Sequence, residues 1–260
     1  MPLANESALQ GVFLHSSRRL KKFVKMSCSI RQGESGKTSR AFCIHQENDF
    51  FYAGVLYHEM GHFIDSYYNI YIDVTNELKQ IMRNISERDR IVNSYFPLLN
   101  NHNIASDQTT FENVITNHCK EMIADLFGAQ YLEKEILSYL KYISYPSFGN
   151  SSYSHPAPNI REHIVSDFVN NNNNTIIDLV KKSFNHNGLN LSKKYTDLKI
   201  NPSTDIITFN NNDELHSLIY SLWNTYYKGK AIIDTNISNY DFYTILNQIA
   251  QNSIKKHFGI

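Results

Sequence analysis

Little in this 260-residue chain could restrain it covalently. Its three cysteines, Cys28, Cys43 and Cys119, are scattered and show no CxxC spacing. They are too few for a disulfide framework or a cysteine metal site and fit a reducing compartment. Glycine is scarce, with 10 residues, there are 6 prolines, and charged residues make up only 19%, a composition that argues against a disordered tail or a fibre. Neither sign of charge prevails: Lys+Arg and Asp+Glu number 25 each. Without a basic field, nucleic acid is not expected as the main partner. No run approaches 18 apolar residues, so no membrane span is expected. The opening MPLANESALQ has no basic stretch followed by a long apolar one, the pattern of a secretory signal. These absences give a cytoplasmic, soluble protein as the expectation. The 42% of hydrophobic residues is a globular proportion.

What is abundant is asparagine, with 30 residues including the run from Asn170 to Asn174. The first 23 residues show no clear period and carry a small basic cluster, Arg18, Arg19, Lys21 and Lys22. Residues 24–31 and 39–46 read as short strands around the turn-rich QGESGKT, a hairpin pattern. A helix capped by Asn48 or Asp49 should run to about Tyr68, and a more polar one should cover 75–95. A long helix is expected over roughly 110–142, then a proline-rich loop over 143–158 and a helix from Pro158 to Val169. The asparagine run is the best candidate boundary. Beyond it, 175–184, 213–228 and 240–256 read as helices and 204–209 as a weak strand. The expected class is α+β, mostly helical. It divides into an N-terminal segment (1–23), a core (24–169) and a helical C-terminal extension (170–260).

Chemistry concentrates at His58-Glu59-Met60-Gly61-His62, an HExxH motif on an expected helix. Residues four apart share a helix face, so two imidazoles there can bind one Zn²⁺, while Glu59 beside them can act as general base. Phe51, Val55 and Leu56 precede the motif, so the helix should be buried, where two histidines and a glutamate without a cation are costly. Gly61 costs the helix about 1 kcal/mol relative to alanine. Close approach of another element would explain it.

Zinc needs a third protein ligand, and Glu121 is the first candidate. Asp125 lies one turn on, placed to accept a hydrogen bond from the second ring nitrogen of His58 and fix its tautomer. Gly128, further along the same face, would permit close packing. His118 and Asp65 compete for the ligand position, and Asp65 is otherwise expected to support the site or lie on the surface. His155, in a proline-stiffened loop, could point a donor at the oxyanion of a tetrahedral intermediate, with Tyr153 as a second candidate. Arg161 could pair with Asp125 or with a substrate carboxylate.

Taken in order, His58-Glu59-x-Gly61-His62, Glu121-x-x-Ala124-Asp125 and His155-Pro156 followed by Arg161 resemble the motif series of gluzincin metallopeptidases. The nearest pattern is the HtpX and CAAX-prenyl-protease type, with HExxH, ExxAD and HPxxxxR. The resemblance covers about residues 40–165. It implies a zincin-like core whose active-site helix lies beside a small sheet, with residues 39–46 as an edge strand to which a substrate backbone adds. It also implies one Zn²⁺ per chain held by His58, His62 and Glu121, Glu59 as the base, Asp125 supporting a ligand, and His155 and Arg161 helping to build the site. Those relatives are membrane proteins, whereas this chain has no expected span, and residues 170–260 match nothing in that pattern.

The expected function is therefore zinc-dependent hydrolysis of a peptide or protein substrate. The alternative is a catalytically inactive zincin-fold module that binds or regulates a partner. Gly33-Glu34-Ser35-Gly36-Lys37-Thr38 imitates the end of a phosphate-binding loop, but Arg31 stands where the first glycine is required and no helix is expected to follow. Trp223, Tyr226 and Tyr227 read as helix-packing aromatics rather than as a partner site.

Overall fold

The computed structural model describes residues 50, 52–137, 150–200, 206–208, 210–211, 213–228 and 239–259. Among these it is mostly helical: α1 Tyr52–Tyr68, α2 Ile70–Ile81, α3 Ile85–Tyr95, a 3-10 turn Pro97–Asn100, α4 His102–Ala105, α5 Gln108–Leu132, α6 Pro158–Asn170, α7 Thr175–His186, α8 Asp213–Lys228 and α9 Asn239–Phe258. The expected hairpin over 24–46 and the phosphate-loop mimic lie outside the described residues. Residues 206–208, inside the expected weak strand, take no regular conformation. No described helix is long and apolar enough to cross a membrane.

The architecture centres on α5, which buries residues on almost every face of its second half, from His118 to Leu132. Asp107 starts it by accepting from Thr109 N–H. α1, α2, α6 and α8 all pack on α5, with α1 in the most extensive contact. That contact depends on Gly61. A Cβ there would fall 2.6 Å from Ala124 Cα and 3.0 Å from its carbonyl oxygen, so the two backbones meet where any side chain would collide. The helix-weakening glycine is thus explained by close packing beside the histidines. Gly128 serves a different neighbour: its missing Cβ would lie 2.9 Å from Ile136 Cγ1, in the segment just past the end of α5.

Two helix limits differ from the sequence reading. The polar helix expected over 75–95 is two helices, α2 starting earlier at Ile70 and α3 starting at Ile85. Asn69 takes a left-handed conformation (φ 56°) between α1 and α2, and Asn84 caps α3 by accepting from Glu87 N–H. The long helix stops at Leu132, not near 142, because Glu133 turns to φ 58°. Helix resumes at residues 135–137 beyond this two-residue break.

The asparagine run proves to be an ordered connection. Asn171 ends α6 in the left-handed region, and Asn174 caps α7 by accepting from Ile176 and Ile177 N–H. Asn172 and Asn174 also donate their side-chain amides to the buried Asp167. α7 then lies on α2, where Ser183 donates to Asp73 and Lys182 pairs with Glu77. α8 inserts Trp223, fully buried, whose indole N–H donates to Phe50 O at the start of α1. Tyr226 is partly buried against the core and Tyr227 is exposed.

Candidate metal centre

α1 and α5 carry the candidate ligands. Turn spacing puts His58 and His62 on one face of α1, with their rings edge to face and centroids 4.7 Å apart. Contact at Gly61 brings that face against α5 at Glu121 and Asp125. His58 Nε2 lies 3.5 Å from Glu121 Oε2, and His62 Nε2 lies 3.4 Å from Glu121 Oε1. The carboxylate thus faces one imidazole with each oxygen. One donor atom from each residue can be chosen so that all three lie within 4.8 Å of one another, and among the described residues no other cluster of this kind occurs. Two donors each about 2.0–2.1 Å from a tetrahedral zinc stand roughly 3.4 Å apart. The spacing and the His/His/Glu set therefore fit a divalent cation of zinc's size.

Behind these donors runs a chain of charge. His58 Nδ1 faces Asp125 Oδ1 at 3.1 Å, off the line of a well-formed hydrogen bond. Asp125 receives Arg161 Nε and Nη2, each at 2.6 Å, and both residues are buried. Arg161 Nη2 also reaches within 3.8 Å of Glu121. Burial alone would depress the His58 imidazolium, but Asp125 and Glu121 outweigh it and lift its pKa to about 9. Burial works to raise the Glu121 carboxyl, yet the two histidines hold it far below the usual carboxylate range. Asp125 is likewise held down against its burial by Arg161 and then His58. The pocket strongly favours positive charge at the point where the imidazoles meet Glu121, and a divalent cation would satisfy that preference.

Comparison of the chain with known protein families, with curated proteins and with solved structures finds no match. The geometry of the site therefore carries the functional reading alone.

The remaining candidates divide clearly. Glu59 is half-buried on α1, between the two histidines in sequence. His155 is largely exposed, with Nε2 3.7 Å from Glu121 Oε1. His118 does not join the donors. Its Nε2–H donates to Ser152 O at 2.8 Å, and its ring stacks on Phe96. Asp65 is 1% exposed, which excludes the surface role. Its carboxylate accepts Tyr71 N–H at 2.7 Å and so serves the first turn of α2. Tyr153 is exposed near Asn117, which donates to its carbonyl.

Sequence reasoning missed the serines that build the His155 loop. Ser152 Oγ accepts from the backbone N–H of both Ser154 and His155. It also lies 3.2 Å from Ser154 Oγ, which lies 2.8 Å from His155 Nδ1. The two hydroxyls thus hold His155 by Nδ1 and turn Nε2 toward Glu121. Ser151 Oγ adds a bond from Ala157 N–H. The signal was present as three serines within four residues before His155.

Proposed function

We propose that this chain is a zinc metallopeptidase, with a zincin-like arrangement of α1 against α5. The observation that carries the proposal is the meeting of His58, His62 and Glu121 donors backed by the buried Asp125–Arg161 pair. An acidic residue that only decorated a helix face would not be oriented this way.

His58, His62 and Glu121 would hold the ion. Bound there, zinc supplies Lewis acidity, lowering the pKa of water toward 7 and polarising a carbonyl. Every other task falls to side chains of the chain. Glu59 takes the proton of the attacking water and delivers it to the leaving amine. His155 would donate from Nε2, the nitrogen facing the site, to the oxygen that gains charge as the carbonyl carbon becomes tetrahedral. Arg161 fixes Asp125, and Asp125 fixes the ring of His58. A substrate backbone would approach from the side of the His155 loop, where the site is open.

Hydrolysis of a quenched fluorescent peptide library by zinc-loaded protein, beside Glu59→Gln, tests the reading. Cleavage by the wild type, abolished by Glu59→Gln with zinc retained, is the expected result. Equal cleavage by both overturns it. Zinc binding without any cleavage would instead make the chain a metal-stabilised binding module.

A further inference from the structure

A polar row leads along α5 to Glu121. Thr110, Asn113 and Asn117 precede it at steps of three and four residues, so all four side chains share one face of the helix. The loop that carries His155 stands over this row. Asn117 Nδ2 donates to Tyr153 O at 3.3 Å, and His118 Nε2 donates to Ser152 O one residue earlier. These bonds clamp the loop to α5. Beside them is a shallow recess open to solvent, about 300 Å³, lined by Thr110, Asn113, Asn117 and Tyr153.

The lining has a definite chemistry. It holds two carboxamides, a hydroxyl and an aromatic ring, with no charged and no aliphatic side chain. Thr110 donates its proton to Asp107, so its oxygen remains as an acceptor. The nearby Glu112 is engaged by Lys79 and Gln108 and does not line the cavity. Each carboxamide carries both donors and an acceptor. Such a lining rewards a partner that also donates and accepts. An alkyl group would make none of these hydrogen bonds, and a carboxylate or ammonium would find no counter-charge among the lining side chains.

Position ties the cavity to the candidate reaction. Asn117 is one helical turn, about 5–6 Å, from Glu121. Peptide residues repeat every 3.3–3.6 Å or so when extended. A side chain one or two residues from the bond being cut would therefore reach Asn117 and Asn113.

We infer that Thr110, Asn113, Asn117 and Tyr153 form a specificity subsite that selects substrates bearing a carboxamide side chain, asparagine or glutamine, within two residues of the scissile bond. This rests on the metallopeptidase reading. Asn113, exposed on α5, recognises the side chain directly. Tyr153, exposed on the loop, covers it with its ring.

The test uses zinc-loaded full-length protein and two series of labelled peptide hydroxamates, extending to either side of the zinc-binding group. In each, the neighbouring residues carry asparagine, glutamine, leucine, aspartate or lysine. Fluorescence anisotropy reads the dissociation constants. In one series the carboxamide peptides should bind at least about five-fold more tightly than leucine, the worth of one net hydrogen bond. Asn113→Ala should remove that preference while zinc content stays unchanged. Asn113→Asp should shift the preference to lysine. Hydroxamate binding with no carboxamide preference, or a preference that survives Asn113→Ala, overturns the subsite alone. Failure to bind zinc or any hydroxamate overturns the metallopeptidase reading and the subsite with it.

Discussion

Arg161 meets Asp125 edge to edge, with Nε and Nη2 each 2.6 Å from one carboxylate oxygen and both side chains closed from solvent. The pair joins α6 to α5 directly behind His58. Removing one member of a buried pair strands the other charge, at a cost of about 3–5 kcal/mol. Arg161→Ala should therefore unfold in urea at markedly lower concentration. Where it still folds, it should bind zinc about 10–100-fold more weakly, because Asp125 no longer fixes the His58 ring. Arg161→Lys keeps the charge but loses the fork, so it should fall between. Unchanged stability and zinc affinity in Arg161→Ala would remove this pair from the account of the site.

Metal content separates ligand from base. Purified wild type and Glu59→Gln should each carry about one zinc per chain, whereas Glu121→Ala and His62→Ala should lose it. Atomic absorption after dialysis against a zinc buffer reads this. A full complement of zinc in Glu121→Ala would show that another residue completes the site.

Gly61→Ala makes a prediction whose sign opposes helix propensity. Propensity alone would stabilise the variant by about 1 kcal/mol. The new Cβ would instead press on Ala124 Cα at 2.6 Å, a backbone that cannot move aside cheaply. Overpacking of this kind costs about 1–3 kcal/mol, so the melting temperature should fall. A rise would mean that α1 and α5 are not in backbone contact.

Asp65, one turn after His62, offers a pH test through its own carboxyl. Burial raises its carboxyl to about 6, although Tyr71 N–H, Lys120 and His62 act the other way. A carboxyl raised in the folded state stays protonated where the unfolded chain has already ionised. Stability is therefore fully retained below about pH 4 and declines as pH rises to about 6. Asp65→Asn abolishes this decline while still accepting from Tyr71. Its advantage over wild type should grow from near zero at pH 4 to about 2–3 kcal/mol at pH 7. Denaturation curves at several pH values would show it, and a constant difference would refute it.

Asn174 should matter more than its place in a low-complexity run implies. It caps α7 and also donates to buried Asp167. Asn174→Ala should cost about 1–2 kcal/mol, whereas Asn173→Ala should cost almost nothing.

How much of this was legible beforehand follows from the range of each interaction. The candidate ligands on α1 are local, four residues apart on one helix, so the sequence carries them openly. Glu121 and Asp125 were reachable because the same spacing recurs. The sequence favoured Glu121 over His118 because Asp125 then has a role. What holds His118 elsewhere was not legible: its Nε2–H donates to Ser152 O, 34 residues away in the chain. Helix limits failed where one residue leaves the helical region, at Glu133 and in the break before Ile85. The order within the asparagine run was not legible, because identical residues take different roles there, set by the buried carboxylate of Asp167 and by which N–H groups a helix end leaves bare. The cavity lining was written at positions 110, 113 and 117, but only the loop over them makes it a recess.

Contact between α1 and α5 at Gly61 has a topological consequence. His62 and Glu121 stand 59 positions apart along the chain. Closing a loop of that length in a disordered chain costs about 4 kcal/mol in entropy. Here folding has already closed it, and the donors wait side by side. The folded protein should therefore bind zinc on the order of a thousand-fold more tightly than the same residues in an unfolded chain, from closure alone. By reciprocity, each ion bound would act as a clasp on the helix pair, so that zinc supply would set the lifetime of the protein as well as its chemistry.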